Sequence, residues 1–246
     1  MQNIDNGRKF LEAGPWDQWL RQDTDQRMKV PSPSLQKPYP EGAELIDLVA
    51  PKDFTVGQMP LLEAINCRMS HRRYTEEFLT LEELSFLLWA AQGVHETDEK
   101  GVSTRRTVPS GGARHPFELY LAVNRVDGLE SGLYRYLHKL YFLWADSDLN
   151  KKVATACRKQ AFVGNGAVIF IWTALPYRSE WRYSIVAHKM IAIDAGHSCQ
   201  NLYLASGAIG AGICAIGAYH QKELDTLIEV DGKEELTIYA GVVGKI

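Results

Sequence analysis

The spacing of hydrophobic positions changes several times along the chain, and each change marks an element. In "PLLEAINCRMS", Leu61, Leu62, Ile65 and Met69 fall on one helical stripe that begins after Pro60. Thr80 then precedes "TLEELSFLLWAAQGV". Glu83 stands three residues after it, which predicts a capping box, and Gly93 closes the helix. "FELYLAVNRV" alternates Phe117, Leu119, Leu121 and Val123 with polar or smaller residues, the period of a strand. "GLYRYL" and "KLYFLW" predict a hairpin that turns at His138–Lys139. "NKKVATACRKQ" (150–160) reads as a helix. "GAVIFIWTAL" (166–175) is continuously apolar, as a strand buried on both faces would be. "AHKMIAIDAGHSCQNLYLASGAIGAG" (187–212) predicts a long helix that ends near Gly207–Gly210, and "ELTIYAGVVG" (235–244) a last strand. This order predicts an α+β fold with a central, mostly antiparallel sheet flanked by helices.

The first sixty residues lack that regularity. Five prolines fall between Pro31 and Pro51. Proline fixes φ and removes a donor, so this stretch is expected to be extended and irregular. Trp16, Trp19 and Leu20 predict a short docked helix before it. The expected division is a proline-rich arm over 1–60, wrapped on its own domain or a partner subunit, and a domain over 61–246.

Composition narrows the function classes. Among 246 residues, 27 basic and 30 acidic side chains leave a net charge of −3. A general nucleic-acid binder carries a basic excess, so none is expected here. No run of 18 apolar residues predicts a membrane span, and "MQNIDNGRKFLEAG" has no apolar signal core. The cysteines at 67, 157, 199 and 214 form no C-x-x-C, so neither a disulfide framework nor a metal site is expected. Reduced thiols in a cytoplasmic protein are the simpler expectation.

Candidate chemistry is concentrated in a few stretches. "CRMSHRRYTEEF" gathers Arg68, His71, Arg72 and Arg73 around Ser70. Arg68 and Arg72 would share a face in a helical turn and could capture an anion. The same charges also suit a solvated helix C-terminus paired with Glu76 or Glu77. "VPSGGARHP" brackets Gly111 and Gly112 in a stiff loop that either lies against a flat ligand or simply turns into the next strand. "GAIGAG" (207–212) follows a helix and has the wrong order for a dinucleotide fingerprint, so it reads as a helix-ending turn. His197, Gln200 and Asn201 sit within the long helix and are expected to bond across a helix–helix interface. No nucleophile motif, phosphate loop or carboxylate pair is present.

Taken in order, "RMSHRRY", "ELSFLLWAAQGV", "PSGGARHPFELYLAV", "GLYRY", "DAGHSCQNLYLA", "AIGAY" and the terminal "VVGK" resemble the nitroreductase family of FMN-dependent oxidoreductases. Within it they are most similar to the branch that holds SagB-type dehydrogenases and azoline oxidases. The resemblance implies a homodimer with one FMN per subunit at the interface and NADH or NADPH as co-substrate. It assigns Arg68, Ser70 and Arg72, with the main chain at Met69, to the FMN phosphate and nearby polar atoms. Pro109, Ser110, Gly111 and Gly112 would lie against the flavin ring, and Ile216 and Gly217 would cover its other side. Lys245 is the late basic residue that would reach the phosphate. Azoline oxidases of this branch carry a Lys-Tyr pair ahead of the long helix, where this chain has Arg182 and Tyr183. Arginine stays protonated and is a poor base, which leaves Tyr183 as a proton donor. The implied activity is ping-pong transfer of reducing equivalents to a nitro, quinone or similar small-molecule acceptor. The alternatives are an azoline dehydrogenase of peptide maturation and a flavin-binding protein without turnover.

Overall fold

A computed structural model describes residues 2–98 and 103–246. Its strands are β1 (Leu45–Ile46), β2 (Val94–Thr97), β3 (Thr104–Arg106), β4 (Phe117–Val123), β5 (Gly132–Tyr136), β6 (Leu140–Ala145), β7 (Val168–Ala174), β8 (Ala211–Ile216) and β9 (Leu236–Lys245). Seven form one sheet in the order β1-β6-β5-β4-β7-β9-β8, with every neighbouring pair antiparallel. β2 and β3 make a separate small hairpin. The helices are α1 (Gln2–Leu11), α2 (Trp16–Arg21), α3 (Leu61–Cys67), α4 (Leu81–Gln92), α5 (Leu149–Ala156), α6 (Ala161–Gly164), α7 (Tyr177–Tyr183), α8 (Ala187–Ala208) and α9 (Gln221–Leu227). The α+β architecture with an antiparallel sheet is the one the sequence pattern predicts.

Two cores lie on the two faces of the sheet. One contains α4 and α8 residues such as Leu84, Leu87, Leu88, Ile191 and Leu202. The other contains α5 and α9 residues such as Leu149, Val153 and Leu224. β7 separates them, and all seven of its residues are buried, as its continuous apolar run requires. Its Trp172 also donates from Nε1 to Ser198 Oγ of α8 at 2.8 Å, which ties helix to sheet.

β4 forms where the alternation predicts a strand, and every residue of it is buried. Phe117, Leu119, Leu121 and Val123 face the α4–α8 core, while Tyr120 and Ala122 join the other. Glu118 is tolerated there because Arg178 pairs with it at 2.6 Å, both side chains being 3% exposed. Period fixes which residues share a face, but neighbouring helices decide whether a face is covered.

The capping box of α4 forms as predicted. Glu83 N–H donates to Thr80 Oγ1 at 3.1 Å, and Thr80 N–H donates to Glu83 Oε2 at 2.9 Å. The hairpin turns at His138, which takes φ 65°. α8 ends at Ala208, and Gly210 takes φ 66° in the turn that feeds β8.

α3 forms, but its stripe does not pack within this chain. Leu61, Leu62, Ile65 and Met69 are 67%, 73%, 54% and 57% exposed, and only Ala64 is buried. The outer face of α8 beside it carries Ala192, Ile193, Gly196, Gly207 and Ala208, all exposed or half-buried.

Much of the proline-rich segment lies on the same chain. Trp19 Nε1 donates to the Arg182 carbonyl at 3.1 Å. Lys37 donates from its main chain to Glu118 at 2.7 Å, and its ammonium pairs with Glu235 at 2.5 Å. β1 supplies an edge strand of the sheet by pairing with β6. α1, by contrast, is exposed over residues 4–11.

Candidate functional site

The Gly-Gly loop is built on α8. Asp194, on the second turn of that helix, is 6% exposed. Its carboxylate accepts from Ser110 Oγ at 2.6 Å and from Gly111 N–H at 3.1 Å. Ser110 Oγ in turn accepts from His115 N–H at 2.9 Å. Burial pushes the Asp194 carboxyl above the usual carboxylate range, and these hydrogen bonds and His197 oppose the rise.

Backbone strain is concentrated in the same loop. Gly112 takes φ 59°, and the non-glycine residues Ala113 and His115 take φ 54° and 43°. A Cβ added at Gly112 would stand 2.5 Å from Tyr183 Oη and 3.1 Å from the Arg182 side chain. The loop therefore presents bare backbone where Arg182 and Tyr183 close over it. Tyr183 is packed from behind by Trp19, with ring centroids 5.9 Å apart. His115 is buried and held neutral, its pKa pushed down to about 3 by desolvation and by Arg106. Its Nε2 lies 3.1 Å from the Thr104 carbonyl oxygen, which a neutral imidazole satisfies as donor.

The basic segment is organised differently. A helical turn shared by Arg68 and Arg72 is not what forms. α3 ends at Cys67, and Arg68 leaves helical space at φ −59°, ψ 114°. Ser70 instead bridges Ile213 in parallel, and His71 N–H donates to the Ile213 carbonyl at 2.9 Å. The open edge of β8 takes up these main-chain groups, so the chain is extended rather than coiled. Ser70 Oγ lies 2.9 Å from Tyr203 Oη, which also accepts from Ala215 N–H at 2.9 Å. Arg68 lies over the Tyr203 ring, 5.5 Å from its centroid, and Arg72 over Phe162 at 5.8 Å.

Glu76 pairs with Arg125 at 3.3 Å, not with Arg73 as one sequence reading allows. Among the described residues, Arg68, Arg72 and Arg73 have no carboxylate within ion-pair distance, and all three are exposed. Tyr74 packs under the segment and donates to the His71 carbonyl at 2.6 Å.

The structure thus gathers the predicted residues into two groups. Ser70 stands against Ile213 of β8 and reaches Ala215 through Tyr203, Arg68 lies over the Tyr203 ring, and Met69 is exposed between them. Ile216 lies further along, at the end of β8, and Gly217 just past it. Ile216 is 2% exposed with its side chain in the core, whereas Gly217 is exposed. Pro109–Gly112 and Tyr183 form the second group. Their anchors on α8, Tyr203 and Asp194, are nine residues apart, which is about 13–14 Å along a helix axis. Lys245 joins neither group directly. Its ammonium pairs with Glu83 and donates to the Ile209 carbonyl at 3.2 Å.

Within α8, only Asn201 of the three singled-out polar residues bridges to other elements. It donates to the carbonyls of Ala90 and Thr107 at 3.0 and 3.2 Å. His197 and Gln200 are exposed. Asp194 and Tyr203 are the residues that sequence reasoning passed over. The available signal was a lone acid and a lone phenol within a helix otherwise rich in small residues. Among the described residues, no group of His, Cys, Asp and Glu is arranged to hold a metal ion. Among the described residues, no helix is long and apolar enough to cross a membrane.

An apolar cleft of about 330 Å³ opens between α3, α4 and α8, lined by residues including Leu61, Phe86, Trp89, Asn201 and Leu204.

Comparison with known proteins converges on one family. The nitroreductase family model matches residues 65–245. A Methanocaldococcus jannaschii protein described as a nitroreductase is 33% identical over 181 residues, covering 70% of this chain and 89% of that protein. The trifolitoxin-processing protein TfxB of Rhizobium leguminosarum bv. trifolii is 28% identical over 179 residues. That match covers 67% of this chain and 47% of that protein, so the chain spans less than half the length of this relative. A solved structure from Ralstonia eutropha, described as a nitroreductase, superposes with a TM-score of 0.66 at 25% identity, covering 88% of this chain and 98% of that one.

Proposed function

The chain belongs to the nitroreductase family of FMN-dependent oxidoreductases, and from that premise we propose that it passes reducing equivalents from NADH or NADPH to a nitro, quinone or similar organic acceptor by a ping-pong mechanism. The observation that carries this reading is the pairing, along α8, of a strained backbone loop with an exposed cluster of arginines that no carboxylate among the described residues neutralises.

The residues fit FMN. A phosphate monoester needs several charge-assisted donors, and Arg68, Arg72 and Ser70 offer them from an exposed segment. Met69 contributes main chain to the same group. A flat ring needs backbone without side chains in its path; Gly111 and Gly112 carry none of their own, and Met190 and Tyr183, which lie against them, would move aside for the ring. The exposed Gly217, with the main chain of Ile216 whose side chain is in the core, would line the opposite side of the ring. Lys245 would reach the phosphate only by leaving its pair with Glu83. When bound, FMN supplies the hydride chemistry, and the chain supplies binding, orientation and water exclusion. Tyr183 Oη, held at Gly112, is placed to keep a proton for the acceptor.

Two features of the chain support a homodimer. The apolar stripe of α3 and the small-residue face of α8 stand uncovered, as self-complementary surfaces do before they pair. The separation of the two residue groups suits a site whose ring is covered by one subunit and whose phosphate is held by the other. A small-molecule acceptor needs neither a nucleic acid nor a membrane, and we place the enzyme in the cytoplasm.

Purified protein should show flavin absorbance or take up added FMN, and should oxidise NAD(P)H steadily with a nitroaromatic or quinone. A colourless protein that refuses FMN would sink the reading. Turnover absent despite bound FMN would favour a flavin-binding role instead. A second reading, azoline dehydrogenation during peptide maturation, is favoured by the similarity to a trifolitoxin-processing protein, while Arg182, a poor base where that branch carries lysine, counts against it. Activity confined to a heterocyclised peptide would select it.

A further inference from the structure

Tyr203 is joined to both of the polar groups through which the basic segment would meet an anion. Its Oη lies 2.9 Å from Ser70 Oγ, and its ring lies under Arg68 with the guanidinium 5.5 Å from the centroid. The hydroxyl has a third neighbour. Ala215 N–H, which points off the free edge of β8, donates to Tyr203 Oη at 2.9 Å.

Those contacts set the direction of the protons. A main-chain N–H can only donate, so one lone pair of Tyr203 Oη is occupied by Ala215. A phenol has a single proton. Among the described residues, the hydrogen-bond partners of Tyr203 Oη are Ala215 N–H and Ser70 Oγ, and of the two only Ser70 can accept. The arrangement that uses the phenol proton within the chain therefore has Tyr203 donating to Ser70. Ser70 in turn keeps its own proton free to donate outward. Donors in such a chain polarise one another, so the last member becomes a stronger donor than an isolated hydroxyl. The cation–π contact meanwhile holds Arg68 over the same ring.

We infer that Tyr203 is a positioning residue that turns Ser70 into an outward donor, and steadies Arg68, for a phosphate monoester. The inference rests on the FMN reading above and names the part of that ligand it concerns. Tyr203 itself does not touch the phosphate. It acts through Ser70 and Arg68, and it belongs to α8, so the binding segment takes its register from the helix that also anchors the Gly-Gly loop.

The test compares FMN with riboflavin, which differ only in the phosphate, by quenching of flavin fluorescence. Wild-type protein, Tyr203→Phe, Ser70→Ala and the double variant are titrated with each. Tyr203→Phe should weaken FMN about 10-fold and leave riboflavin within about 2-fold, the loss expected for one charge-assisted hydrogen bond. Ser70→Ala should give a similar loss, and the double variant should lose little more than either single one, because both act through one bond. Equal weakening of both ligands by Tyr203→Phe would mean a general structural role and would overturn the inference. So would a full FMN preference retained in that variant, or losses that simply add in the double variant. Wild-type protein without any preference for FMN over riboflavin would overturn the phosphate assignment itself, which is a separate result.

Discussion

The loop over 109–115 and the segment over 68–74 reach the same helix by opposite means. The loop is rigid by construction. A buried carboxylate holds it, three of its residues sit at positive φ, and Tyr183 closes against its bare backbone. The segment is held by main-chain bonds to a sheet edge, while its arginines stand in solvent. The difference suits two ligand chemistries. A flat ring is recognised by fixed backbone, whereas a phosphate is recognised by charged side chains that can close on it after encounter. Strain belongs in the first and adaptability in the second.

The comparison predicts where damage should fall. Gly112→Val forces a β-branched residue into left-handed backbone and against Tyr183. It should cost about 3 kcal/mol of stability or loop integrity, read as a lower Tm together with lost flavin uptake. An unchanged melting curve with normal flavin uptake would mean the loop is not constrained as described.

The arginines should behave in the reverse way. Arg68→Ala and Arg72→Ala should each weaken FMN by about 2 kcal/mol while leaving Tm nearly unchanged. Raising ionic strength should narrow the gap to wild type, since exposed charges are screened. Equal FMN affinity in both variants and wild type would remove the phosphate assignment.

His115 sharpens the loop side through pH. Its folded pKa of about 3 lies below the ordinary histidine value of 6.5, so the unfolded chain takes up the proton first as pH falls. The stability it contributes is complete above that ordinary value and is lost as pH drops towards the folded one. Between pH 7 and 5.5 this amounts to about 1 kcal/mol. His115→Gln should flatten that part of the stability–pH curve in denaturant titrations, and an unaltered slope would show that His115 is not the group responsible.

Asp194 gives the smallest and most discriminating effect. Its raised pKa means that the folded state bears a cost for the buried charge, present in full at neutral pH and relieved as the carboxyl protonates. Asp194→Asn should therefore leave Tm at neutral pH equal or higher. The same change should weaken flavin binding by about 1 kcal/mol, because an amide side chain accepts less strongly from Ser110 and Gly111. A lower Tm with unchanged flavin affinity would reverse the argument.

Much of the fold was legible because its signals are local. Thr80 and Glu83 are three residues apart, the hairpin turns within a few residues at His138, and β7 announces itself by an unbroken apolar run. The positions of Arg68, Ser70 and the Gly-Gly loop were legible in the same way. Their supports were not. Ser110 and Asp194 are 84 residues apart, and Ser70 and Tyr203 are 133 apart, so no local pattern links them. The conformation of the basic segment was misread for a related reason. Its charges fit a helix end, but its N–H groups found a free strand edge instead.

By itself, then, the sequence determined the longer helices, the strands β4 to β7 and β9, and the residue types available for an anion and a flat ring. β8 was hidden in what reads as a helix-ending glycine turn. Periodicity, caps and turn residues act over a few positions, so they can be read in order. Tertiary structure alone decided that β4 is covered on both sides, that the α3 stripe is left bare, and that one helix holds both halves of the site. Those outcomes depend on which surfaces and donors meet after the chain has closed loops of tens of residues, and that meeting is a property of the whole packed chain.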